Sequence, residues 1–173
     1  MITAHVSTHR ALTSCESDEW YTPPHIIAAV VDVLGGIDID PASPSPFGPV
    51  PAITHYTANE DGLTKEWNGR VYLNPPFSQV KAWVPKLVTE YQAGRTREAI
   101  LLCSAAIDTR WWQLIRGYPW CAVRGRLRFS GASNGTTRPS ALVYFGKDSR
   151  RFIDVFSDIG TVYLQVTPPG GDK

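Results

Sequence analysis

Cysteine is scarce. Cys15, Cys103 and Cys121 are the only three in 173 residues, odd in number and far apart. That argues against a disulfide framework and matches a reducing compartment. No Cys-x-x-Cys pair occurs, and His25 and His55 stand alone, so no metal is expected. Long apolar runs are also missing, and nothing approaches the roughly 20 residues of a membrane span. The opening "MITAHVSTHRALTSCESDE" has no basic start followed by an apolar stretch. A cytoplasmic protein with no membrane partner is the expectation. Phosphate-cradling signatures are absent too. Without a G-x-x-x-x-G-K-[ST] loop or a G-x-G-x-x-G turn, nucleotide hydrolysis and dinucleotide-dependent redox chemistry are disfavoured. No acidic cluster has the pattern of a two-metal nuclease.

Lysine is missing where arginine is dense. Residues 95–138 hold 8 Arg, no Lys and 2 acids, a net +6, whereas residues 1–94 hold 5 basic against 10 acidic residues, a net −5. The overall charge of +1 hides this division. Arginine without lysine suits planar, bidentate contacts with phosphates or base edges. A solvated face with local ion pairs would give the same composition.

The pattern of elements is α/β. "TPPHIIAAVVDVLGG" reads as a helix, with Thr22 as N-cap, Pro23 in the first helical position and Gly35–Gly36 as its stop. "IDID" is a short strand. "PASPSPFGPVPA" after it carries five prolines and one glycine and must be a loop. A short strand near residues 53–56 and the strand "RVYL" follow. "SQVKAWVPKLVTEYQAG" places Val80, Trp83, Val84, Leu87, Val88 and Tyr91 on one helical face, with Pro85 as a kink or the true start. "EAILLCSA" is the continuous apolar run of a buried strand. "DTRWWQLIRGY" is a short helix capped by Asp108 or Thr109, with at most one of Trp111 and Trp112 fully in the core. "WCAVRGRLRFS" and "SALVYFG" are strands joined by "GASNGTTRP". "SRRFIDVFSDIG" is a last helix and "TVYLQV" a last strand. The fold expected is a mostly parallel central sheet with an antiparallel hairpin at one edge, and no full helix after the first strand. A polar lead (1–18) and a frayed tail (167–173) flank one domain (19–166).

"RVYLNPPFSQV" holds the chemistry. Two prolines stop an apolar strand dead. Prolines donate no backbone hydrogen bond, but their carbonyls still accept. A rigid turn here presents the Asn74 side-chain oxygen and the Pro75 carbonyl as fixed acceptors, with Phe77 beside them as a stacking platform. That set suits a planar aromatic amine. The lone pair of such an amine is delocalised into its ring, and two well-placed acceptors favour a pyramidal, nucleophilic nitrogen. No general base is required, because the amine becomes acidic only once it is alkylated.

Asn-Pro-Pro-Phe (74–77) resembles the catalytic motif of S-adenosylmethionine-dependent amino-methyltransferases. Asp-Pro-Ala-Ser (40–43), preceded by Trp-Tyr-Thr-Pro-Pro (20–24), is similar to their cofactor-binding segments in the same order. "EDGL" and "WNG" (60–69) sharpen the likeness. From Trp20 to about Gly160 the chain resembles the phage-type DNA N6-adenine methyltransferases. That resemblance implies a Rossmann-like methyltransferase fold and methyl transfer from S-adenosylmethionine to N6 of a flipped adenine in double-stranded DNA, within a bacterial host cell if the source is phage. Trp20, Thr22 and Pro23 would then lie toward the cofactor. Asp40 would approach its methionine end, with Pro41 and Ala42 shaping the wall, while Asp61 accepts from its adenine amine and Leu63 packs on that ring. Asn74, Pro75 and Phe77 would hold the target base, and Pro76 would keep the turn rigid.

Arg124, Arg126 and Arg128, on one face of a strand, would meet phosphates with Asn134 and Arg138 from the following loop. The sequence departs from the pattern in lacking glycines after Asp40. It also offers only Glu60 as an acid for the cofactor ribose. Related motifs serve RNA and protein-glutamine methyltransferases, so those acceptors stand as alternatives, as does a non-catalytic nucleic-acid-binding module on a decayed methyltransferase fold.

Overall fold

A computed structural model describes residues 21–129 and 138–165. The expected lead and tail, Trp20 and Asn134 fall outside the described residues. Seven strands form one sheet: β1 (Ile37–Asp40), β2 (Ala52–His55), β3 (Gly69–Leu73), β4 (Thr96–Ser104), β5 (Trp120–Val123), β6 (Ser140–Phe145) and β7 (Gly160–Tyr163), in the order β2-β1-β3-β4-β6-β5-β7. Neighbours pair in parallel from β2 through β4, and antiparallel from β4 to β7. Tracing those pairings, five strands run one way, and only β6 and β7 oppose them.

Two layers of helix cover this sheet because its central strands are apolar on both faces. On β4, Ile100 and Leu102 belong to one core with Ile26, Val30 and Val33 of helix α1 (Pro24–Leu34) and Phe152 and Phe156 of helix α4 (Ser149–Phe156). Ala99, Leu101 and Cys103 belong to the other, with Val80, Trp83, Val84 and Leu87 of helix α2 (Val80–Gln92) and Trp111 and Trp112 of helix α3 (Arg110–Gln113). Helix α2 passes through Pro85 without ending there, and Thr109 caps α3 by accepting from the Trp112 amide. No helix lies between β1 and β2.

Three expectations are corrected. The antiparallel pair is not an edge hairpin. β6 inserts between β4 and β5, and β7 covers the outer side of β5. Strand β5 stops at Val123 rather than running on through the arginines, because Gly125 takes a left-handed φ of 76° that breaks the extended path. Trp111 and Trp112 are both buried, at 6% and 4% exposure, because Trp120 packs edge-on against Trp112 while Trp111 and Trp112 meet each other edge-on.

Among the described residues no helix is long and apolar enough to cross a membrane. No group of three His, Cys, Asp or Glu side chains among them is placed to hold a metal.

Candidate functional site

The chain leaves β1 toward β2 on one side and returns to β3 on the other. A crevice must open where the connections diverge, beyond the carboxyl ends of β1 and β3. Ile39 pairs with Val71 there, so Asp40 and Asn74 emerge from neighbouring strands. A cavity of about 540 Å³ occupies the crevice, a size in the range of small-molecule sites. Thr22, Asp40, Pro41, Ala42, Asp61, Leu63, Asn74, Pro75, Pro76 and Phe77, ten residues singled out from the sequence, all line it.

Each is placed by a local rule. Asn74, Pro75 and Pro76 bridge β3 to a 3-10 turn at Phe77–Gln79, closed by the Gln79 amide on the Pro76 carbonyl at 2.9 Å. Thr22 is not the N-cap of α1. Pro23 occupies that position and Pro24 the first helical one, so the helix takes no side-chain cap. Pro23 is buried but does not line the cavity. The Thr22 hydroxyl goes elsewhere: it lies 2.7 Å from the Tyr72 hydroxyl and accepts from Asn74 Nδ2 at 3.2 Å.

Asp61 sits at φ 49°, unusual for a residue other than glycine, and its Oδ1 accepts from the Leu63 amide at 3.2 Å. It is therefore a turn cap as well as part of the cavity wall. Gly62 must be glycine, since a Cβ there would fall 1.9 Å from the Pro41 carbonyl oxygen. That close approach welds the "DPAS" loop to the "EDGL" turn, and Trp67 Nε1 locks it by donating to the Gly62 carbonyl at 2.8 Å. Glu60 does not line the cavity; its carboxylate is spent on the Thr57 amide and hydroxyl, which hold it below the usual carboxylate range.

Among the described residues two carboxylates, Asp40 and Asp61, line the cavity, and no Lys, Arg or His does. Asp40 is only 3% exposed. Behind it stands His55, whose Nδ1 is 3.8 Å from Asp40 Oδ2 and 3.2 Å from Ser43 Oγ. The Asp40 carboxylate makes that imidazole more basic than usual despite partial burial. In the sequence His55 stands alone. The parallel pairing of Asp40 with His55 across β1 and β2 brings the two together, and no local spacing signals it. Tyr72, Tyr56, Ser43 and Trp83 are further wall residues that motif reading passed over.

Arg124, Arg126 and Arg128 do not line the cavity, and they do not share a strand face as expected. Their alternation survives in the segment beyond β5: the three arginines are exposed, while Leu127 and Phe129 are 4% and 3% exposed. β5 runs parallel to β3, so this segment leaves the sheet at the cavity end. It crosses to the cavity rim, where Phe129 meets Phe77 edge to face with ring centroids 6.2 Å apart. Exposed Arg138 precedes β6, whose start also lies at that end.

A family model described as DNA N-6-adenine-methyltransferase (Dam) matches residues 9–144. Comparison with curated proteins gives no match.

Proposed function

The chain belongs to the DNA N-6-adenine-methyltransferase family, and from that premise we propose that it moves the methyl group of S-adenosylmethionine to N6 of an adenine flipped out of duplex DNA. The observation that carries this reading is the cavity at the ends of β1 and β3, which has the Asn-Pro-Pro-Phe turn on one wall and, among the described residues, only the acidic charges of Asp40 and Asp61 on the others. An anionic nucleotide cofactor would be repelled there. A cationic one is attracted, and Leu63 and Tyr56 add apolar surface for an adenine ring. The donor set thus fits S-adenosylmethionine, held between Asp40, Pro41 and Ala42 on one side and Asp61 and Leu63 on the other. When bound, that cofactor supplies an electrophilic methyl group.

The protein's own residues do the rest. The amine of the extruded base donates to the Asn74 carboxamide and the Pro75 carbonyl. These acceptors localise its lone pair and aim it, so orientation and fixed dipoles supply the catalysis. Phe77 offers its ring to the base, which must leave the duplex to reach the pocket. Pro75 and Pro76 hold the acceptors still. Arg126 and Arg128 on the rim, with Arg124 and Arg138 nearby, meet phosphates flanking the target. We place this action in the cytoplasm, that of a bacterial host cell if the source is a phage or prophage.

Transfer of labelled methyl groups to unmethylated DNA tests this reading. Wild type is expected to label adenine at N6, and Asn74→Ala is expected to lose about 100-fold or more in kcat. No labelling of any DNA by folded wild type overturns it. Labelling of RNA or of glutamine instead moves the acceptor.

A further inference from the structure

Tyr72 and Asn74 are two residues apart at the end of β3, so their side chains leave on the same face. That face meets the start of α1, where Pro23 has taken the capping position and Thr22 is left with an uncommitted hydroxyl. The hydroxyl reaches both neighbours at once, Tyr72 Oη at 2.7 Å and Asn74 Nδ2 at 3.2 Å. Thr22 is 4% exposed and Tyr72 1% exposed, so water does not compete for these bonds.

We infer that Thr22, held by Tyr72, is a positioning residue that fixes which branch of the Asn74 carboxamide is presented to the target amine. This rests on the methyltransferase reading of the cavity and assigns Thr22 to the catalytic amide rather than to the cofactor. A carboxamide has two branches of nearly equal size, and turning it over exchanges an acceptor for a donor. A donor facing the N–H bonds of the substrate would repel them. Asn74 Nδ2 donates to the Thr22 oxygen, so the carboxamide oxygen takes the other branch, and the buried Thr22–Tyr72 hydroxyl pair fixes the Thr22 oxygen in place whichever of the two donates. Tyr72 stays protonated throughout, since burial pushes its hydroxyl well above the usual tyrosine range. Removing Tyr72 Oη takes away the buried partner that holds the Thr22 hydroxyl and so loosens its grip on the Asn74 amide.

Kinetics of DNA methylation and calorimetry with S-adenosylhomocysteine test this on the full chain. Thr22→Val, nearly isosteric, is expected to lower kcat about 10-fold or more while leaving S-adenosylhomocysteine affinity within about twofold. Thr22→Ser restores kcat to within about threefold of wild type. Tyr72→Phe lowers kcat about 3- to 10-fold, and the double variant Thr22→Val with Tyr72→Phe is no slower than Thr22→Val alone, because Tyr72 acts through Thr22. The inference is overturned if S-adenosylhomocysteine affinity falls while kcat holds, if kcat of the folded variants is unchanged, or if the two effects multiply. Folded wild type that methylates no adenine overturns the functional reading and this inference together. Active wild type with indifferent variants overturns the inference alone.

Discussion

Phe77 and Phe129 meet at 89° with their ring centroids 6.2 Å apart. The first belongs to the Asn-Pro-Pro-Phe turn and the second to the arginine-bearing segment beyond β5. The contact ties the wall proposed to receive the target base to the segment proposed to meet phosphates. Leu127 and Phe129 are the buried half of an alternating run whose exposed half is Arg126 and Arg128. Moving the anchors moves the charges.

Phe129→Leu should therefore act on DNA and not on cofactor. It keeps an apolar side chain in the core, with a stability cost of about 1 kcal/mol. It removes an aromatic pair whose energy corresponds to about a 2- to 10-fold rise in KM for DNA. Steady-state kinetics and S-adenosylhomocysteine calorimetry check the split. An equal loss of cofactor affinity would place the effect elsewhere.

Replacing Arg126 and Arg128 together by Ala should weaken DNA binding across all sequences. The slope of log Kd against log salt should shrink by about 1 for each phosphate contact removed. Fluorescence anisotropy at several salt concentrations measures it. An unchanged slope would mean that these arginines face solvent in the complex.

Acid should loosen the protein through Glu90. This carboxylate is 1% exposed, and burial alone would raise its pKa. Hydrogen bonds from Arg95, Lys86 and the Trp67 amide outweigh that and bring it to about 2, against a usual 4.5. The folded-state value is depressed, so the ion pair's stability is complete above about pH 4.5 and is lost as pH falls toward about 2. Asp38, held at about 2 by its hydrogen bonds from Arg70, adds a contribution of the same sign. Urea melts between pH 6 and pH 2.5 should show this slope. Glu90→Gln should flatten part of it while costing about 3 kcal/mol at neutral pH, because Lys86 and Arg95 lose their partner.

Much of this architecture could be read from local signals. The Pro-Pro start and Gly35 stop of α1, the apolar run of β4 and the proline-rich loop after β1 each state their conformation within a few residues. So does the strand-to-turn change at Leu73–Asn74, and ten of the residues that the motifs single out line one cavity. What escaped was set by distant partners. Thr22 has the composition of an N-cap, and only the position of Tyr72 and Asn74 on the third strand shows where its hydroxyl goes. His55 gains its meaning from strand pairing with Asp40. The insertion of β6 between β4 and β5 is a matter of topology that strand propensity does not encode. "RGRLRF" has a strand's alternation, yet one left-handed glycine takes it out of the sheet and over the rim.

The Gly62 carbonyl is held by the indole of Trp67, whose backbone amide in turn donates to Glu90. Gly62 itself leaves no room between its Cα and the Pro41 carbonyl. A relay of four residues thus runs from an ion pair anchored on α2 to the loop that closes the cavity. Protonating Glu90, which lies outside the cavity lining, would weaken the bond that holds the Trp67 amide, and through Trp67 the hold on the wall that Pro41 and Gly62 give the cavity.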